Sequence, residues 1–151
     1  MESKALKIGS IVMVVMAVYG LILGLIVHFG AKALITPVFA SFTGQTWSDF
    51  VTANAKAADL WIMNNRLTVA MALAVSIIGI LLALTSYRKG EKWSWFAFLV
   101  SGIIVWGSNV AYSIALASSI NIVLVLIGLV LLVIGLVIPA KAILGAEAGK
   151  K

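Results

Sequence analysis

Apolar residues fall along this chain in four long blocks separated by short polar clusters, and each block is too long for a strand and lacks two-residue alternation. The blocks run from Ile8 to Phe29, Leu67 to Tyr87, Trp95 to Ala117 and Ile122 to Ala140. Each predicts a helix of about 20 residues and about 30 Å, the thickness of a bilayer core. Lipid offers no partner for free backbone groups, so continuous helices are the expected form. The fold class this predicts is an all-α integral membrane protein, a four-transmembrane-helix bundle forming a single domain over residues 1–151.

The connections differ in kind. Arg88-Lys89-Gly90-Glu91-Lys92 is short and leads into Trp93 and Trp95, aromatic residues suited to a headgroup boundary, so helices two and three form an antiparallel hairpin. The turn from Ser118 to Asn121 is shorter still and pairs helices three and four in the same way. The segment of about 36–66 is long and patterned. Thr36-Pro37 can open a helical turn, and Thr46-x-x-Asp49 resembles a capping box with Asp in place of Glu. Trp47, Phe50, Val51, Ala57, Ala58 and Trp61 then recur at helical spacing, with Asp49, Lys56, Asp59 and Asn64 on the other faces. This predicts an extracytoplasmic amphipathic helix that lies on the membrane or caps the bundle, running on into helix two.

Composition agrees with the pattern: 63% of residues are hydrophobic and 11% charged, against about a quarter charged in soluble domains. Charge adds orientation. Eight Lys and Arg (Lys4, Lys7, Arg88, Lys89, Lys92, Lys141, Lys150, Lys151) fall on one side and three (Lys32, Lys56, Arg66) on the other. The positive-inside rule puts both termini in the cytoplasm of a multi-pass cell-membrane protein, with anionic headgroups as partners on that side. The net charge of +6 sits at block ends rather than in a stripe, which argues against nucleic acid. Lys4 and Lys7 before an apolar stretch ending near Ala31-Lys32-Ala33 resemble a cleaved leader, but Ile8 to Phe29 exceeds a signal core, and a retained helix is expected. The hairpin Tyr87 to Trp93 resembles those of small prokaryotic membrane proteins in general and is tied to no family of known function.

Candidate chemistry is sparse. The absence of cysteine excludes disulfides, thiolate metal sites and Cys nucleophiles. All five acidic residues lie outside the spans, without the intramembrane carboxylate of a proton relay. No catalytic set, cofactor or metal site is predicted, and His28, the single histidine, lacks companion ligands. Two polar groupings remain. Ser101, Ser108, Asn109 and Tyr112 form a stripe along helix three, with Asn109 about 4 to 5 Å past its midpoint and Trp106 on the same side. The stripe reads either as interhelical hydrogen bonding or as the lining of a small polar path. His28, Asp59 and Arg66 form a candidate outer-surface site, which reads as an anionic-ligand site or as an interfacial Arg reaching lipid phosphates.

Packing signals are richer. Gly20-x-x-x-Gly24 in helix one and Gly79-x-x-x-Ala83 in helix two let backbones approach closely. With packing signals abundant and chemical ones few, the expected function is a non-catalytic structural or accessory subunit of a larger membrane complex, whose partners are other membrane subunits or copies of itself. The alternative is a small homo-oligomeric transporter or pore for a neutral or apolar solute, with helix three lining the path. A membrane enzyme using Asp59, Arg66 and His28 is a third reading.

Overall fold

A computed structural model describes residues 3–116 and 119–145, and among them every regular element is helical. We number the helices α1 (Lys4–Thr43), α2 (Trp47–Ala53), α3 (Ala55–Tyr87), α4 (Lys92–Ala115) and α5 (Ser119–Leu144). Four of them are long and apolar enough to cross a membrane, as expected of a multi-pass membrane protein. Ala117, the expected end of helix three, Ser118 of the expected turn after it, and Glu2, Glu147, Lys150 and Lys151 lie outside the described residues.

The long helices run alternately up and down. α1 lies centrally, packed against α3 and α5, and α4 packs chiefly against α5 while its Phe98 and Trp106 also reach α3 and α1. One end carries Lys4, Lys7, the Arg88–Lys92 turn and Lys141, and is called the basic end below. α1, at 40 residues, is about 60 Å long, whereas α4 covers 24 residues or about 36 Å, so α1 and α3 project together past the other two helices. α2 closes this projecting end.

Small residues set the helix spacing. A Cβ added at Gly24 would stand 2.6 Å from Leu73 Cδ2, and one at Gly20 3.1 Å from Ser76 Oγ, so both glycines face α3. Gly79 answers from α3, where a Cβ would stand 3.5 Å from that of Ala17. Ala83 is fully buried, and its carbonyl accepts a 2.6 Å hydrogen bond from Ser10 Oγ. On α5, Gly135 seats Met13 of α1 and Gly128 seats the Trp106 ring of α4.

Pro139 organises the basic end. Its ring packs where a Cβ on Gly9 would stand 2.6 Å from Pro139 Cγ, so α1 and α5 meet closely there. A proline inside a helix has no N–H for the carbonyl four residues earlier, here that of Gly135. Tyr87 Oη fills the vacancy, donating to Gly135 O at 2.7 Å, and Trp95 Nε1 donates to Leu136 O at 3.0 Å. Tyr87 from α3 thus completes the backbone of α5, the usual way such helices tolerate proline, and Trp95 from α4 adds a second bond one residue on. Farther along, Tyr19 Oη of α1 donates to Leu124 O at 2.9 Å.

Two π-helical turns aim the large buried aromatics. Ala83–Tyr87 closes α3 and delivers Tyr87, and Ile103–Gly107 interrupts α4 and delivers Trp106. The Arg88–Lys92 turn ends α3 in a Schellman arrangement: Glu91 N donates to Ser86 O at 3.1 Å and Gly90 N to Tyr87 O at 3.0 Å. Gly90 takes φ 78°, a left-handed conformation that glycine adopts without a Cβ penalty. The Trp93 indole donates to Glu91 Oε2 at 2.6 Å and is the main reason the Glu91 carboxyl is held below the usual range.

The structure corrects the sequence reading in the connecting segment. Thr36-Pro37 opens no new helix, because α1 continues through Pro37 to Thr43. Thr36 Oγ1 folds back onto Lys32 O at 2.9 Å, and α1 stops only at Gly44, at φ 71°. The amphipathic stretch is also divided: Asn54, at φ −140° and ψ 51°, separates α2 from α3, and only the part from Ala55 runs into the second long helix. Thr46 caps α2 by accepting from Asp49 N at 3.2 Å. Asp49 does not complete a reciprocal box; its carboxylate takes the Thr46 hydroxyl at 2.6 Å.

Candidate functional site

The two polar groupings occupy different parts of the molecule. On α4 the buried positions are Ser94, Phe98, Gly102 and Trp106, every fourth residue, and then Ser113. A straight α-helix would drift off such a line, and the π turn at Ile103–Gly107 absorbs the drift. With Trp106 held inward against Tyr19, at a ring-centroid distance of 6.3 Å, the sides of Trp106 and Asn109 separate. Ser101, Ser108, Asn109 and Tyr112 all lie on the outside of the helical body, Tyr112 at 54% exposure. Asn109 is about 8 Å beyond the midpoint of α4 at 1.5 Å per residue, farther out than its expected place.

Two of those outward groups bond within their own helix. Ser101 Oγ donates to Ala97 O at 2.6 Å, and Asn109 Nδ2 donates to Val105 O at 2.8 Å. Ser113, which is buried, donates to Asn109 O at 2.7 Å. None of these three hydrogen bonds joins α4 to another helix. The stripe therefore lines no passage between the four helices of one chain; it is a polar face turned toward whatever lies beside α4.

The second grouping is at the base of the projection. Lys32 of α1, Trp47 and Val51 of α2, and Ala58, Asp59, Ile62, Met63 and Arg66 of α3 line a cleft of about 430 Å³. An aromatic cluster supports it: the Phe39 ring lies 5.1 Å from Trp47, 4.8 Å from Phe50 and 5.7 Å from Trp61, centroid to centroid. The structure thus brings Asp59 and Arg66 together and adds Lys32, which sequence reasoning used only for orientation. Both ends of the grouping come from helices whose register is set elsewhere, by the Gly24 contact with Leu73.

His28 does not line that cleft. It is half-buried, edge-on to Phe29 at 5.2 Å, and its Nδ1 is buried without a hydrogen-bond partner. Asn65 Oδ1 of α3 is likewise buried and unpartnered. Because Gly24 faces Val69 and Leu73, His28 and Asn65 fall one turn farther along the same antiparallel pair. Among the described residues no three His, Cys, Asp or Glu side chains gather as a metal-binding group. The node at Pro139 was missed from sequence, although a proline in an apolar block signals a freed carbonyl and a need for a nearby donor.

Comparison with known proteins adds no identity: no protein-family model, no curated protein and no solved structure matches the chain.

Proposed function

We propose that the chain is a non-catalytic accessory subunit of a larger integral membrane complex and that it docks through the outward face of α4. The observation that carries this reading is the position of Ser108, Asn109 and Tyr112, with Ser101, on the outside of a predominantly apolar helix. Facing acyl chains, their spare donors and acceptors would go unmatched; facing another transmembrane helix, they gain partners worth about 0.6 and up to about 2 kcal/mol each. A groove lined by Val123, Leu126, Ile127, Val130 and Leu131 on α5 offers an apolar seat as well. The eight-to-three division of Lys and Arg supports an orientation with the basic end in the cytoplasm, and the amphipathic α2 with the projecting end of α1 and α3 outside.

The exposed stripe also favours one rival, a homo-oligomer in which copies turn α4 toward a shared aqueous path. Cysteine scanning separates the two, since the chain has no cysteine of its own. Single cysteines at positions 101, 108, 109 and 112 should react slowly with a small hydrophilic thiol reagent in native membranes, and Asn109→Leu should reduce recovery of co-purifying chains after gentle detergent extraction. Fast reaction along the stripe, with lipid-facing controls on α5 slow, would overturn the accessory reading in favour of the path.

A further inference from the structure

The cleft at the base of the projection has a level, a charge pattern and a shape, and together they specify a ligand class. The level comes from α3. No charged residue lies between Arg66 and Arg88, a stretch of about 33 Å at 1.5 Å per residue, close to the bilayer core of about 30 Å. With Arg88 at one headgroup layer, Arg66 sits at the other, and Lys32 enters the same cleft from α1.

The charge pattern is split along the cleft. Lys32 and Arg66 supply cations toward the membrane, and Asp59 supplies a carboxylate seven residues nearer the start of α3, about 10 Å farther out along the helix. Helical side chains lean toward the N-terminus, so Arg66 reaches along the cleft toward Asp59, which stands two turns away on the same helix. A cation and an anion thus share one cleft with a gap between them. Ile62, Met63, Val51 and Trp47 wall that gap with apolar surface.

We propose that the cleft binds a phosphoester carrying a primary ammonium group, the chemistry of a phosphoethanolamine headgroup. The phosphate sits against Lys32 and Arg66, the ammonium donates to Asp59, and the methylenes between them lie on Ile62 and Trp47. Arg and Lys are matched to phosphate oxygens, and a primary ammonium can donate to a carboxylate where a quaternary one cannot. The inference rests on placing the four spans in a bilayer. It does not rest on docking through α4, which contributes no residue to this cleft.

Native mass spectrometry of the full chain in detergent, titrated with palmitoyl-oleoyl phosphatidylethanolamine, phosphatidylcholine or phosphatidylglycerol, reads the preference directly. The ethanolamine lipid should bind tightest. Lys32→Gln combined with Arg66→Gln should weaken it about tenfold or more, as for loss of a charge-assisted hydrogen bond. Asp59→Asn should abolish the preference for ethanolamine over glycerol while leaving phosphate binding in place. Displacement by soluble phosphoethanolamine, with no preference among the lipids, would assign the same chemistry to a free metabolite. Equal binding of all three lipids with no soluble competitor, or full ethanolamine-lipid binding by the doubly substituted chain, would overturn the proposal. Helical content and melting in phosphatidylcholine identify a variant that has failed to fold, in which case the singly substituted Asp59→Asn chain decides. Co-purification of partner chains is a separate readout, so either proposal can fail alone.

Discussion

The two ends of the molecule are held together by different physics. At the basic end four helices converge on Pro139, and the cohesion is directional: Ser10 donates to Ala83 O, Tyr87 to Gly135 O and Trp95 to Leu136 O, all across helix boundaries. At the projecting end only α1, α2 and α3 meet, and the cohesion is an aromatic cluster around Phe39 with no such cross-helix bonds among the described residues. Unpaired carbonyls are most costly inside an apolar medium, so a node of donors belongs where the helices are surrounded by apolar surface. Ring packing against Ala31 and Ala58 suits a part reaching past the apolar spans. The charged cleft lies between the two regimes, where the four long helices have thinned to α1 and α3 with the short α2 beside them, and polar side chains can be approached.

If that division is correct, the ends should fail separately. Trp47 is 5% exposed and touches Phe39, Phe50 and Trp61, so Trp47→Ala should cost about 3 to 5 kcal/mol of local stability. Hydrogen exchange should then accelerate in α2 and the ends of α1 and α3, with amides around Tyr87 unchanged; equal acceleration at both ends would mean one cooperative unit. A smaller effect is expected at mid-body. Gly128→Ala puts a methyl into the Trp106 ring, which cannot bend away as an aliphatic chain can, and should lower stability by about 1 to 3 kcal/mol. Gly107→Ala on α4 meets nothing within 4 Å and should be neutral or mildly stabilising. Melting of both variants in detergent checks the pair, and similar losses would show that helix flexibility, not the ring contact, governs the site.

Much of this was readable in the sequence where local pattern and global packing agree. Block length marks the four long helices, and small residues at four-residue spacing put Gly20 and Gly24 on the α1 face that meets α3, with Gly79 and Ala83 opposite. What escaped depends on neighbours. Proline at position 37 argues for a break, yet α1 passes through it because Ala31 and Phe39 are buried on either side by α2 and α3. The outward turn of Asn109 follows from a π turn that projection onto a regular helix omits. His28 parts from Asp59 and Arg66 because it stands a turn from Gly24 with its Nδ1 buried and lines no part of the cleft, a distinction of depth that spacing along one helix does not carry.

The finest test of the basic end is a cycle on two residues. Tyr87→Phe keeps the ring beside Phe98, at 5.1 Å between centroids, and removes only the hydroxyl that serves Gly135 O. The expected loss is about 1 kcal/mol, rising toward about 3 if the carbonyl is left wholly unpartnered. Pro139→Ala restores an N–H at the position that normally serves that same carbonyl, although it also deletes part of a ring packed against Gly9. If the tyrosine is there because the proline is, the two changes must be non-additive: in the Pro139→Ala background Tyr87→Phe should cost almost nothing, leaving a coupling near the whole single-variant loss. Equilibrium unfolding of the wild type, both singles and the double measures it. Strict additivity would mean that Tyr87 and Pro139 contribute independently and that the basic end is held by ring packing, as the projecting end is.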